Sequence, residues 1–221
     1  MHAFHHGLRR QKAFTLIELL VVIGIIAVLA AGVGVALRGN NPDAVLRSAQ
    51  GLASSALSAA RGQAALTQSN ARLVVQADRD RPDFLRTIRI VVAAGGTTWR
   101  QVGSDIVLPE GAYVVPPGAL TGVTLSDDGG AWNIGRNSTL FDSAAAPVDG
   151  MTDAGNRWLI SKDISPLGTL EGGRFVVAAG RKSGPVDYVL DNATAVRGLV
   201  VSRYGVPSFV NEAASFDLIT N

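Results

Sequence analysis

Hydrophobic and polar positions follow three different patterns along the 221-residue chain. Residues 16–37 are apolar almost throughout, with Glu18 as the only charged residue. Residues 44–69 repeat Leu and Ala at helical spacing, and after Asn70 the chain changes to short β-branched runs separated by turn formers. The pattern predicts an α+β fold, in which a long N-terminal helix packs on an antiparallel β-sheet domain.

The apolar run 16–37 is long enough to cross a membrane. Its 22 residues are close to the roughly 20 that span about 30 Å of hydrocarbon as a helix. Three basic residues precede the run and only Arg38 follows it closely, which predicts a cytoplasmic N-terminus and an external, periplasmic domain. A cleaved secretory signal is the alternative. The length of the run and the charge of Glu18, which costs about 2.5 to 3.5 kcal/mol at mid-helix, argue against it.

The stretch "KAFTLIELLVVIGIIAVLAAG" resembles the N-terminus of type IV pilins and type II secretion pseudopilins, in which a short basic leader and a small residue precede Phe and "TLIE". The resemblance implies that a prepilin peptidase cleaves between Ala13 and Phe14 and methylates the new amine of Phe14. This family usually has Gly where Ala13 stands. Residues 1–13 would be a cytoplasmic leader, and residues 14–38 a transmembrane helix of the bacterial inner membrane that becomes the filament stem. The implied partners are other pilin or pseudopilin subunits, the inner-membrane assembly platform and inner-membrane lipid.

Cleavage gives a physical reason for the carboxylate of Glu18. It removes the basic leader and creates an α-ammonium at Phe14, and the ammonium of a neighbouring subunit could neutralise Glu18 inside an apolar bundle. Pairing of Glu18 with the amine of its own chain is the competing arrangement. We therefore expect Glu18 to act in assembly.

Small residues recur at four-residue spacing in the same helix, as Ala27 with Ala31 and Ala30 with Gly34. Such spacing permits close contact between helices. Ala and Gly are also common in membrane helices generally, so the spacing alone does not distinguish helix packing from composition.

Beyond the stem, residues 38–43 contain Gly and Pro and predict a break. An amphipathic helix over 43–70 continues into the domain, and 71–221 form an antiparallel β-rich domain with an irregular insertion at 127–156. The expected apolar face of the helix consists of Leu46, Ala53, Leu57, Ala60 and Ala64. The expected strands lie at 71–77, 85–93, 105–109, 112–115, 122–126, 157–161, 173–179, 186–190, 197–203 and 206–210.

The amino-acid composition argues against several classes of protein function. From Phe14 onward 17 basic and 18 acidic residues leave a charge of −1, so bulk charge argues against nucleic acid as a partner. There is no Cys, and the histidines are His2, His5 and His6, all within the leader. A processed chain would therefore lack the thiol and imidazole groups of common catalytic and metal sites. We expect no catalytic residue, no cofactor and no metal.

Two acidic clusters could be considered for calcium. Asp78, Asp80 and Asp83 are interleaved with arginines and lack the spacing of a calcium loop, so a solvated turn explains them better. Asp127 and Asp128 precede two glycines, which a Gly-rich turn explains without a cation.

The three tryptophans lie in separate segments. Trp158 stands in an expected strand and is assigned to the core, whereas Trp132 lies in a glycine-rich loop and is the better candidate for contact with a partner. Trp99 carries no assignment.

Residues 57–75 and 197–210 also resemble, more weakly, the H-type minor pseudopilins and the T-type fimbrial minor pilins. The sequence is therefore interpreted as a minor pilin or pseudopilin. A DNA-uptake or adhesive minor pilin is one alternative, in which exposed Arg79, Arg81 and Arg86 would bind a polyanion. A membrane-anchored β-domain protein that never polymerises is another.

Overall fold

The computed structural model describes residues 16–17, 19–26, 42–118, 120, 122–125, 140–142, 144–151, 153, 155–190 and 196–216. The chain divides into two compact units, Met1–Asn40 and Asn41–Asn221. In the first unit, residues 16–17 and 19–26 are helical. Within the described ranges, no helix combines the length and the apolar character needed to cross a membrane. Four of the six residues of the expected break, 38–41, lie outside the described residues.

The second unit begins with the domain helix, Pro42–Thr67. Proline suits the first turn, where its missing N–H costs no hydrogen bond, and the acidic Asp43 complements the positive end of the helix dipole. The helix ends before Gln68, whose φ of 50° is left-handed. All five residues expected on its apolar face are buried, which confirms that prediction. The buried face also includes Ala49, Gln50 and Ala56.

Ten strands follow among the described residues. Each of the ten strands expected from the sequence overlaps one strand of the structure, although β3 is longer than the strand expected at 105–109. In chain order, β1 to β10 are Ala71–Gln76, Thr87–Gly95, Thr98–Val107, Ala112–Val114, Val123–Leu125, Trp158–Ile160, Gly173–Lys182, Tyr188–Leu190, Val196–Val201 and Pro207–Val210, and a 3-10 helix, Ala213–Phe216, comes last.

The described strands form two sheets. The first has the order β3-β2-β1-β6 and is antiparallel. The second has the order β10-β9-β7-β8-β5, with β4 paired to β7. The pair β5 and β8 is parallel, so the expectation of a purely antiparallel domain is wrong at this edge. The domain helix contacts β1 and β2 of the first sheet and β7 and β9 of the second, and its buried face belongs to the main core.

The alternation of residues 85–90 in the sequence predicts one polar and one buried face. The structure corrects this prediction, because the first sheet is covered on both faces. Leu85 has a φ of 54° and precedes β2, and Thr87 is only 1% exposed. Ile88 and Ile90 belong to the main core. A second apolar cluster consists of Val74, Val91, Val148, Met151 and Trp158. The segment 144–151, which we call the covering segment, thus covers the opposite face of the sheet. The buried Trp158 confirms its assignment to the core.

Gln50 is a polar residue on the buried face of the domain helix. Its side-chain amide donates to the carbonyl oxygens of Gly198 at 2.7 Å and Val210 at 2.9 Å. These acceptors lie on β9 and β10, at the edge of the second sheet. Gln50 therefore fastens the helix to this edge through buried hydrogen bonds.

We predict that Gln50→Ala lowers the free energy of unfolding by about 1–3 kcal/mol, because it leaves buried carbonyl oxygens without their donor. Gln63→Ala is the matched control, since it makes the same change on the partly exposed side of the same helix. Urea denaturation of both variants measures the difference. Equal stability of the two variants would contradict the role assigned to Gln50.

Candidate functional site

The residues predicted to act in processing and assembly lie outside the described residues. They are Ala13, Phe14, Glu18, Ala27, Ala30, Ala31 and Gly34, and the same is true of Trp132. The described part of the apolar run contains large side chains that are exposed, from 49% at Val22 to 85% at Leu16. Apolar surface of this kind is stabilised when lipid or other helices cover it.

A charged cluster holds the irregular segment against the first sheet. The Arg89 side chain is 11% exposed and makes a two-pronged ion pair with Asp105, at 2.7 and 2.9 Å. Its third nitrogen reaches Asp153 at 2.7 Å. The guanidinium also lies 4.6 Å from the ring centroid of Trp158. Arg89 thereby connects β2, β3, β6 and the chain that follows the covering segment.

The charge of Arg89 is stabilised within this cluster. Burial lowers its pKa, but the hydrogen bonds to Asp105 and Asp153 outweigh that effect and hold the pKa above its ordinary value. All three guanidinium nitrogens are occupied by carboxylates of the same chain. The cluster is therefore suited to holding the structure together and offers no free cation to a ligand.

A second site is a groove of about 750 Å³ beside Trp99, and we call it the Trp99 groove. The guanidinium of Arg72 lies 4.2 Å from the Trp99 ring centroid and forms an ion pair with Asp163. Asn70 donates to the other oxygen of Asp163 at 3.1 Å. The backbone N–H of Trp99 donates to the carbonyl oxygen of Asp149 at 2.8 Å, which holds the covering segment against the start of β3.

The contacts around Gly150 explain how the covering segment approaches so closely. Gly150 has a φ of 89°, and a Cβ there would lie 2.5 Å from the carbonyl oxygen of Trp99. Only glycine satisfies both conditions. In the groove, the charges of Arg72 and Asp163 already satisfy each other, so the surface is suited to polar, uncharged contacts of the kind found in protein interfaces.

The Asp-rich turn uses its polar groups locally. Asp78 accepts a hydrogen bond from the Asp80 N–H at 3.2 Å, and Arg81 pairs with Asp83 at 3.1 Å. Arg86 donates to the Leu108 carbonyl oxygen at 3.0 and 3.3 Å. Within the described part of the chain, no group of three or more His, Cys, Asp or Glu residues is arranged to hold a metal ion.

The arginines proposed for a polyanion surface do not form one. Arg81 and Arg86 are partly buried and engaged, and only Arg79 is exposed. The expectation that all three are exposed is therefore wrong. The reason is that the turn before β2 packs its cations against carboxylate and carbonyl oxygens of the same chain.

The irregular insertion expected at 127–156 contains buried structure that the sequence pattern does not predict. In its described part, Leu140, Phe141, Ala145, Val148 and Met151 are each at most 6% exposed. Phe141 and Ala146 make isolated bridges to Ser161 and Trp158. Spaced apolar residues between Gly and Pro were the available signal, but they carry no strand periodicity.

Comparison with protein families gives one finding, at the N-terminus. Residues 8–34 match the prokaryotic N-terminal methylation motif. The match supports a type IV pilin-like protein that is processed by a prepilin peptidase and assembles with other pilin subunits. Comparisons with curated proteins and with solved structures give no match.

We predict that Arg89→Lys lowers the free energy of unfolding by roughly 2 kcal/mol, because an ammonium cannot reproduce the two-pronged pair with Asp105 while also reaching Asp153. Arg100→Lys, at an exposed position of β3, is the matched control. Chemical denaturation followed by tryptophan fluorescence reports on the change. An Arg89→Lys protein as stable as the control would show that the cluster does not hold the segment.

Proposed function

We propose that this chain is a minor pilin or pseudopilin, a structural subunit of a type IV pilus or a type II secretion pseudopilus. The methylation motif over residues 8–34 carries the proposal. The weaker resemblance of 57–75 and 197–210 to H-type minor pseudopilins and T-type fimbrial minor pilins is the reason for preferring a minor subunit.

In this proposal the chain is first held in the bacterial inner membrane, with its N-terminus in the cytoplasm and its domain in the periplasm. The apolar run 16–37 contacts lipid at that stage. Extraction into a filament removes these lipid contacts, so contacts between helices must replace them. The pairs Ala27 with Ala31 and Ala30 with Gly34 permit the close approach that such contacts need. The inner-membrane assembly platform is the expected partner in this step.

Processing and assembly are coupled through charge. Cleavage after Ala13 gives Phe14 an α-ammonium, and Glu18 lies four positions further along the chain. In an apolar filament core an unpaired carboxylate is costly, whereas one that meets the ammonium of a neighbour is stabilised. Only one axial displacement between neighbouring helices allows that pairing. Glu18 would therefore select the register of the stem.

The domain supports a binding and structural role over an enzymatic one. The described clusters around Arg72 and Arg89 pair cations with carboxylates of the same chain. A processed chain has no His or Cys. We infer that the protein has no catalytic activity and needs no cofactor. The engaged state of Arg81 and Arg86 weighs against the DNA-uptake alternative.

We predict that the protein isolated from its native host begins at Phe14 and carries the mass of one added methyl group. Ala13→Gly restores the residue usual in the family and should speed cleavage, whereas a bulky Ala13→Leu should block it. Intact mass and N-terminal sequencing measure the N-terminal residue, the added methyl group and the extent of cleavage in each variant. A native protein that still begins at Met1, in cells whose prepilin peptidase processes other substrates, would overturn the proposal.

We predict that Glu18→Ala leaves cleavage intact but lowers incorporation into filaments by more than about a hundredfold. Removing one partner of a buried ion pair costs about 3–5 kcal/mol, which corresponds to at least that factor. Leu19→Ala in the same helical turn is the control for lost apolar surface. The measurement is the amount of subunit in sheared or purified filaments. Equal incorporation of both variants would support a membrane-anchored protein that does not polymerise.

A further inference from the structure

Two tight turns of the second unit meet above one residue of the domain helix. The turns are 165–169 and 202–206, and backbone hydrogen bonds between their first and last residues, 2.8 and 3.0 Å long, close them. Gly168 and Gly205 have φ values of 76° and 70°. A Cβ on Gly205 would lie 2.5 Å from the Gly168 carbonyl oxygen and 2.6 Å from Nε of Arg61. The two turns and Arg61 are therefore in direct contact, and each glycine is required.

Each turn presents a large apolar residue to solvent. Leu167 is 89% exposed and Tyr204 is 68% exposed, each directly before one of the two glycines. Beside Tyr204 lies a hollow of about 340 Å³. We call the surface formed by Arg61, Leu167, Arg203 and Tyr204 the two-turn patch. The backbone of each turn is fixed by its closing hydrogen bond, which reduces the conformational entropy lost when a partner covers these residues.

The cation beneath the turns lacks a partner among the described residues. Arg61 makes no hydrogen bond or ion pair with any of them, and its Nε is buried. Arg203 is exposed and likewise has no hydrogen bond or ion pair within the described chain. The carboxylate at the rim of the hollow, Glu171, is 3.7 Å from Lys162. Nε of Arg61 lies beneath the turns, so a partner's carboxylate would reach the terminal guanidinium nitrogens, which are not fully buried and where a charge-assisted hydrogen bond is stabilising.

We propose that the two-turn patch docks a different protein chain, which presents a carboxylate beside an apolar side chain. The partner is inferred from charge complementarity, because the patch combines two guanidinium groups that have no carboxylate partner among the described residues with two exposed apolar side chains. Arg and Tyr are also the residue types that most often dominate the binding energy of protein interfaces. The proposal goes beyond the assembly of the stem and does not depend on cleavage at Phe14.

Two other occupants fit the patch less well. A symmetric pair of copies of this chain would bring Arg61 and Arg203 of one copy towards those of the other, and like charges disfavour such an interface. A fluid lipid surface has no fixed positions for an anion beside an apolar group, so it matches two defined turns less well than a folded protein surface does.

The test uses the full chain in its native host, with a photo-crosslinking residue in place of either exposed apolar side chain. The substitutions are Leu167→p-benzoylphenylalanine and Tyr204→p-benzoylphenylalanine. The control is the same replacement at Val107, an exposed position on the first sheet. Mass spectrometry identifies the crosslinked protein and the peptide that was reached. We expect one protein partner, joined through a peptide that contains Asp or Glu next to an apolar residue.

Substitutions that change the charge of the patch then test the contact itself. Arg61→Met should lower the crosslink yield about tenfold or more, whereas Arg47→Met, at an exposed position of the same helix, should not. Leu167→Glu places a negative charge on an exposed turn, where it would repel the partner's carboxylate, and it should lower the yield similarly. Because Leu167 is exposed, this variant tests the contact even if Arg61→Met is unstable. Arg61→Glu combined with a carboxylate-to-Arg change in the partner should restore the crosslink.

Four results would overturn the proposal. They are crosslinks no stronger than at Val107, crosslinks to copies of this chain, crosslinks to lipid, and an unchanged yield in both Arg61→Met and Leu167→Glu. Failure of this test is distinguishable from failure of the proposed function, because cleavage at Phe14 and filament incorporation are measured on the unmodified chain.

Discussion

The close packing of the domain helix against two sheets is the interaction on which the rest of the second unit depends. Alanine occupies most of the buried face, and its small side chain lets the helix backbone approach both sheets. A larger side chain at any of these positions would overpack the core, which typically costs about 1–3 kcal/mol. The fully buried alanines are Ala49, Ala53, Ala56, Ala60 and Ala64.

Two polar residues of this helix, Gln50 and Arg61, have different roles. Gln50 has both side-chain amide contacts satisfied by carbonyl oxygens of the second sheet, so it contributes to stability. Arg61 reaches two glycine turns but has no acceptor in the described chain. A buried amide with all its donors bonded gains nothing from a partner, whereas a half-buried guanidinium without an acceptor is stabilised by an external anion. The same helix thus carries one structural and one binding residue.

The periodic parts of the fold could be predicted from the sequence. The helical spacing of Leu46 and Leu57 and the β-branched runs after Asn70 predicted the helix and most strands close to their observed bounds, whereas β3 begins seven residues before the expected run at 105–109. The covering segment could not be predicted, because Val148 and Met151 follow no regular spacing and become buried only when the first sheet is present. The parallel pair of β5 and β8 depends on chain crossings that local patterns do not encode.

Of the candidate sites, one could likewise be predicted from a local sequence motif and the other could not. The motif around Phe14 and Glu18 is a linear sequence signal, and it is the part of the chain that a family comparison matches. The two-turn patch joins residues 61, 167 and 204, which are more than a hundred positions apart from end to end, so no local pattern reveals it. An unpaired guanidinium can be recognised only after the acceptors around it are known.

The two proposed contacts also differ in how the surroundings affect them. Glu18 lies in an apolar run, where salt has little access, so a pairing there would hold its register at any ionic strength. Arg203 is exposed and Arg61 is half-buried, and their attraction to a carboxylate is screened over a Debye length of about 8 Å at physiological salt. The stem would therefore set the geometry of assembly, while the contact made by the domain remains adjustable by its environment.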